Sequence, residues 1–179
     1  IKSNNSKKIL KSNFKLPSLL LEISSDLKIE LFLFLSNKIK KKKDDINFYS
    51  FSKNLLLDYI QYSKHKNKIR LINLGSIYGP MDLNLKRLIP SMIIKLFKGH
   101  KIKINLNQNK EFTFVDDVIF EINSLLSMDK KFINASVRSK VYNMRDVYNH
   151  LKNYHLKKGY KRINKYDNFI KTFNWYLEN

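Results

Sequence analysis

The sequence predicts an α/β fold, a parallel sheet covered by helices and followed by a smaller, less regular part. Two apolar runs and the helical segments around them carry that expectation. "IELFLFL" (29–35) and "IRLINL" (69–74) are nearly continuous apolar stretches of strand length, the pattern of strands buried on both faces. The segments before and between them have apolar residues at helical spacing. Helix, strand, helix and strand joined by short links is the grammar of an α/β sheet.

Taken in order, "LPSLLLEISSDLK" (16–28) predicts a helix with Pro17 in its first turn and Leu20, Leu21, Ile23 and Leu27 on its apolar side. The strand at 29–35 follows. "NKIKKKKDDIN" (37–47) reads as a charged loop, with Lys40–Lys43 a solvated run. Residues 48–65 predict the next helix, 69–74 the second strand, and "GSIYGP" (75–80) a turn. Beyond Pro80 the order is less regular. "NLKRLIPSMIIKLFKG" (84–99) predicts a helix ending at Gly99, and "HKIKINL" (100–106) and "KEFTF" (110–114) predict short strands. "VDDVIFEINSLL" (115–126), "MRDVYNHLKNYHL" (144–156) and "YDNFIKTFNWYLEN" (166–179) predict amphipathic helices. The chain reads as one compact unit in two parts, 1–75 and 76–179.

Composition narrows the function. With 179 residues, 43% hydrophobic and 13% aromatic, the chain has the make-up of a globular protein with a real core. No stretch approaches the ~18 apolar residues of a membrane span, and no signal-peptide pattern is present, so no membrane partner is expected and a cytoplasmic location fits. The absence of cysteine excludes disulfides and thiolate metal sites. His65, His100, His150 and His155 are scattered, and Asp116–Asp117 suits a helix N-terminus, so no metal is expected. The net charge of +20 raises nucleic acid as a partner. Arginine, however, stands only at Arg70, Arg87, Arg138, Arg145 and Arg162, whereas dedicated nucleic-acid surfaces use its planar fork heavily. A bias toward residues with A- and T-rich codons accounts for the charge, and no specific nucleic-acid partner is expected.

Within "NFYSFSKNLLLDYI" (47–60), Tyr49 and Lys53 lie four apart and share a helical face. A phenol with its ordinary pKa of ~10 is a poor base, and a neighbouring ammonium stabilises the phenolate. Such a pair can take the proton of an alcohol while the carbon gives up hydride. In a chain this rich in Tyr and Lys, the spacing alone is a weak signal.

The flanks strengthen it. "LPSLLLEISSDLKIELFLFLS", "FYSFSKNLLLDYI", "IRLINLGSIYGP", "LIPSMIIKLFKGHKIKINLNQNKEFTFVDDVIFEINSLL" and "GYKRINKYDNFIKTFNWYLEN" resemble, in that order, successive segments of the NAD-dependent epimerase/dehydratase family of extended short-chain dehydrogenase/reductases. The resemblance implies a partial Rossmann-like sheet in 1–75, carrying the Tyr-x-x-x-Lys helix, and a small α+β substrate-binding part in 76–179. It implies NAD as cofactor and a nucleotide-diphosphate sugar as substrate. The activity would be that of an epimerase, or of a decarboxylase or dehydratase, in the isomerase and lyase classes. Tyr49 is then the base, and Lys53 its modulator and the holder of the cofactor ribose. Ser36 or Asn37 assists at the reacting oxygen, Ser76 lies by cofactor and substrate, and Lys110 meets the diphosphate.

The chain also departs from the family pattern. Its four glycines form no Gly-x-x-Gly-x-x-Gly loop, which a cofactor pyrophosphate needs at a helix N-terminus. Residue 1 is Ile, and the resemblance implies a C-terminal portion lacking the first strands of the sheet. The strand at 29–35 should then have an exposed edge, and the chain alone should show little activity. The family's serine or threonine position falls on about Asn37 or Lys38. The Asp-Glu pair of the 4,6-dehydratases has no counterpart after Ser36, which disfavours dehydration. Lys110 replaces an arginine and Ser76 a frequent asparagine. Three readings stay open: part of an active enzyme completed by an N-terminal half or assembled as a homodimer, a noncatalytic remnant, or a basic nucleic-acid-binding module.

Overall fold

The computed structural model describes residues 3–36, 48–64, 69–102, 105–127, 134–157 and 166–178. Asn37, the Lys40–Lys43 run and His65 lie outside them. Two compact units are present, a sheet unit (1–75 and 128–137) and an aromatic unit (76–127 and 138–179).

The sheet unit begins with a longer helical run than the sequence predicts. Helix α1 (Ser3–Leu10) passes through a π-helical turn (Lys11–Lys15) into α2 (Leu16–Asp26). Pro17 therefore lies inside a continuous helix rather than opening one. A proline there lacks an N–H and crowds the carbonyl four residues back. The wider turn, in which the Leu16 N–H bonds the Lys11 carbonyl, relieves that crowding. The run ends with Lys28 in the left-handed region (φ 56°) and the Ile29 N–H on the Ser24 carbonyl at 2.9 Å, a Schellman-type cap.

Strand β1 (Leu31–Ser36) pairs in parallel with β2 (Ile69–Leu74), Leu31 opposite Ile69 through Ser36 opposite Leu74. The expected parallel pairing of the two apolar runs is thus present. Between them in the chain lies α3 (Phe48–Tyr62). A short strand that the sequence pattern does not reveal, β5 (Asn134–Ser136), adds in parallel to the other side of β2, giving the order β1-β2-β5. Among the described residues β1 is an edge strand.

Burial of β1 on both faces is not observed. Leu31, Leu33 and Leu35 face a core containing Leu21 of α2 and Leu56 and Ile60 of α3, together with Ile69 and Leu71. Both flanking helices cover that one face. On the other face Phe34 is 50% exposed, and Phe32 lies under the Arg70 guanidinium, 5.9 Å from the ring centroid.

In the aromatic unit, β3 (Ser76–Tyr78) pairs in parallel with β4 (Asn109–Phe114), which pairs antiparallel with β6 (Lys140–Asn143). The expected turn at 75–80 therefore contains a strand, too short to show a pattern of its own. The strand expected at 100–106 is absent among its described residues. Ile102 and Leu106 pack half-buried against the core without joining a ladder. Helices α4 (Leu88–Phe97), α5 (Val115–Leu126), α6 (Met144–Lys157) and α7 (Asp167–Glu178) complete the unit. Its core is aromatic. Tyr78 stacks on Phe169 at 4.3 Å, Phe97 on Phe173 at 4.7 Å, and Tyr142 meets Phe169 edge-on at 4.9 Å. Gly79 is a packing glycine, since a Cβ there would lie 2.5 Å from Val115 Cγ1.

Candidate active site

The sheet unit carries Ser36, Tyr49 and Lys53. Ser36 is the last residue of β1, half-buried, at the carboxyl end of a parallel pair, where ligands of open α/β sheets bind. Tyr49 is the second residue of α3 and Lys53 follows one turn later, so both project from one face of the helix. The Tyr49 side chain is 44% exposed. Lys53 is half-buried, and loss of hydration pulls its pKa below the ordinary lysine value. Chemically, this helix face offers an accessible phenol and, one turn on, a half-buried amine.

The turn that holds the pair is anchored from beneath. Ser52, fully buried, donates from Oγ to the Tyr49 backbone carbonyl at 2.8 Å, and Asn13 Nδ2 donates to Ser52 Oγ at 3.1 Å. One residue on, Phe14 meets Tyr59 edge-on at 5.9 Å, and the Tyr59 hydroxyl donates to Glu22 at 2.8 Å. Asn13 was not among the residues picked out from the sequence. It is 39 positions from Ser52 and only the fold joins them.

The aromatic unit carries the remaining candidates. Ser76 opens β3 opposite Phe112, and Lys110 lies on β4 opposite Tyr142, on the strand face that also bears Phe112 and Phe114. Asp116 and Asp117 occupy the first turn of α5, where Asp117 pairs with Lys140 at 3.6 Å. Tyr78, of the Tyr-Gly-Pro segment, is 2% exposed, and burial pushes its hydroxyl far above the usual tyrosine range. It belongs to the core.

For a dinucleotide, the described residues fit one end only. Lys53 offers an amine for a ribose hydroxyl. Gly79 is filled by Val115, and Gly99, at φ 62°, faces open space, so neither forms a pyrophosphate cradle.

Residues 2–143 match the NAD dependent epimerase/dehydratase family. The match spans most of the chain, and the chain belongs to this family, whose members are NAD-dependent. Solved structures agree on the fold. The dTDP-glucose 4,6-dehydratase DesIV of Streptomyces venezuelae, as a double mutant with NAD bound, superposes with a TM-score of 0.73 at 16% identity, over 95% of this chain and 67% of that one. The UDP-glucuronic acid 4-epimerase of Bacillus cereus in complex with NAD gives 0.76 at 15% identity, over 91% and 65%. The epimerase Mth375 of Methanothermobacter thermautotrophicus gives 0.72 at 16%, over 98% and 68%. The chain thus spans about two thirds of the length of these relatives. No curated protein sequence matches it. Among the described residues no helix is long and apolar enough to cross a membrane.

Proposed function

We propose that the chain acts as part of an NAD-dependent nucleotide-sugar epimerase, with a decarboxylase or dehydratase as the related alternatives. The observation that supports this most is the exposed Tyr49 phenol one helical turn from the half-buried Lys53 amine, in a chain of this family. In this reading Tyr49 takes the proton of a sugar hydroxyl. Lys53 holds a cofactor ribose hydroxyl. Ser36, with Asn37 after it, donates to the reacting oxygen. Lys110 meets the diphosphate as a point charge without bidentate geometry, and Ser76 adds a hydroxyl to the cofactor and substrate contacts. NAD, when bound, supplies a hydride acceptor that later returns the hydride. The partners are a nucleotide-diphosphate sugar and either a second copy of the chain or an N-terminal half, in the cytoplasm.

A second, noncatalytic reading is favoured by one specific observation, that none of the four glycines belongs to a pyrophosphate-binding loop. The two readings separate in one experiment. The purified chain, combined with an N-terminal half from this family that carries the glycine-rich loop, is mixed with NAD and with UDP- or dTDP-linked sugars, and nicotinamide reduction and sugar inversion are followed. Turnover that falls by about 10²-fold or more in Tyr49→Phe supports the enzyme. Turnover indifferent to Tyr49→Phe removes Tyr49 from its role, and no turnover with any sugar supports the noncatalytic reading. Binding to DNA that survives moderate salt would instead favour the nucleic-acid module.

A further inference from the structure

We propose that His150 of α6 and Asp167 at the start of α7 form a proton-operated latch, closed at neutral pH and released on acidification. This latch goes beyond the functional reading above and does not depend on Tyr49 or Lys53.

His150 is 7% exposed, on a helix whose Val147 and Leu151 are fully buried in the aromatic core. Its ring stacks on Tyr166, the residue just ahead of α7, with centroids 4.9 Å apart and planes 26° from parallel. Tyr166 in turn meets Tyr142 of β6 at 6.2 Å and Phe169 of α7 at 6.3 Å. The stack of His150 on Tyr166 therefore fastens α6 to the entry of α7. A neutral imidazole suits this place, because a charge buried among rings gives up its hydration. Loss of hydration accordingly pulls the His150 pKa below its ordinary value, against the opposing pull of the Asp167 charge.

Asp167 is the second half of the latch. It is the first residue of α7, and its Oδ1 is buried without a hydrogen-bond partner. A buried carboxylate oxygen left unpaired is costly. Near an imidazole it is an acceptor for the N–H that protonation adds. The carboxylate thus sets how far the pH must fall before His150 takes up charge. The other titratable groups near the pair, among the described residues, stay constant over that range. Tyr166 is raised by burial and then by Asp146 and Tyr142, so it keeps its proton. Asp146 stands one turn before His150 on α6, and Tyr154, one turn after it, donates its hydroxyl to Asn174 at 3.0 Å. Helix α4 turns apolar Ile89, Met92 and Ile93 into the shared core. Folded His150 binds its proton at lower pH than the unfolded chain, whose histidine has the ordinary value of 6.5. Its contribution to stability is complete above that value and is lost as pH falls from there through the folded value. The same α7 carries Tyr176, whose hydroxyl donates to the Asp82 carbonyl, so release at its start loosens the loop ahead of α4.

The test uses the full chain and needs no ligand. Proton NMR follows the four histidines, and the His150 signal is the one absent from His150→Phe. It should titrate below 6.5. Asp167→Asn keeps the shape and removes the charge, so it should lower the His150 midpoint by about half a pH unit or more. The Trp175 urea midpoint should fall between about pH 7.5 and about pH 5 in the wild type. His150→Phe keeps a ring on Tyr166 and cannot titrate, so it should lose about half of that fall or more. His150→Gln, neutral and polar, gives a second reading in case the phenylalanine does not fold. Exchange of the Phe173 amide of α7 relative to the Val118 amide of α5 should quicken by about 3-fold or more over the same range, the equivalent of half a pH unit, and stay level in both His150 variants. A His150 midpoint at or above 6.5, a midpoint unmoved in Asp167→Asn, an acid fall that persists in full in both His150 variants, or a level exchange ratio in the wild type would each overturn the latch.

Discussion

The two units solve the same packing problem differently. The aromatic unit gathers Tyr78, Phe112, Phe114, Tyr142, Phe169 and Phe173 into a core of stacked and edge-on rings, nearly all sealed from water. The sheet unit has an aliphatic core that lies on one face of a three-stranded sheet, under α2 and α3. Its α2 turns Leu21 and Ser24 inward and leaves Leu16, Leu19, Leu20, Ile23 and Leu27 between 41% and 63% exposed. The difference lies in how many elements converge on each apolar face. Three helices, α4, α6 and α7, send buried side chains into the aromatic core, while among the described residues the sheet unit draws on α2 and α3 and leaves one face of α2 exposed.

The largest effect that would sharpen this contrast is Phe169→Ala. Phe169 is 0% exposed and contacts Tyr78, Tyr142 and Tyr166 rings. Its loss should cost about 3–5 kcal/mol. The chain's one tryptophan, Trp175, lies in α7 of the same unit, so its fluorescence reports that unfolding in urea. Leu56→Ala, at the centre of the aliphatic core, should cost about 2–5 kcal/mol and leave the Trp175 transition in place. A Trp175 midpoint that shifts equally in both variants would show that the units unfold as one and would break the contrast.

Alkaline pH should act with opposite sign through Lys53 in the sheet unit and Tyr176 in the aromatic unit. Lys53 has a lowered pKa from loss of hydration, so the unfolded chain binds more protons than the folded one between the folded value and 10.5. Stability from this group therefore rises as pH climbs through that window and is constant, at its lowest, below it. Replacing it by Met should stabilise the sheet unit at neutral pH, with the gain shrinking toward pH 10.5. Tyr176 goes the other way. Burial, and then the nearby Asp82 charge, push it up to about 12, so the folded form keeps its proton longer than the unfolded chain. Its contribution is complete below pH 10 and is lost as pH rises from about 10 to about 12. Tyr78, raised by burial, adds to the same loss. Urea midpoints of wild type and Lys53→Met across pH 7 to 10, and the Trp175 midpoint above pH 10, check both signs.

Much of this fold was legible in the sequence because strong apolar runs write their own periodicity. The strand at 69–74 and the helix at 115–126 lie where the pattern predicts. What was missed is short or set by distant contacts. "SIY" and "NAS" become strands through pairing with residues far along the chain, to Phe112–Phe114 and to Leu71–Asn73. Continuous apolar character in β1 suggested two covered faces, and only the positions of α2 and α3 show that one is covered. Tyr49 and Lys53 were visible because a helix fixes i and i+4. The Asn13–Ser52 contact was invisible because it joins residues 39 positions apart, which only the fold brings together.

A smaller effect concerns the end of α2. Lys28 holds a left-handed conformation that glycine adopts freely. Lys28→Gly should stabilise the sheet unit by about 0.5–1 kcal/mol in urea unfolding, the strain of a Cβ outweighing glycine's extra freedom in the unfolded chain. A loss of stability would show that the Lys28 side chain contributes more than its backbone costs.

The smallest effect probes the uncovered helix face. Leu19 is 52% exposed, so Leu19→Ser removes little buried area and should change stability by less than about 0.5 kcal/mol at low protein concentration. The informative variable is concentration. If the leucine face of α2 stays open in solution, the small change is the same at every concentration, and the sheet unit really is the less enclosed of the two. If that face is covered by another copy, wild-type stability rises with concentration by mass action, and the serine variant loses that rise. A concentration-dependent gap between the two urea midpoints would therefore overturn the contrast between an open and a closed unit, and would assign the enclosure of the sheet unit to association.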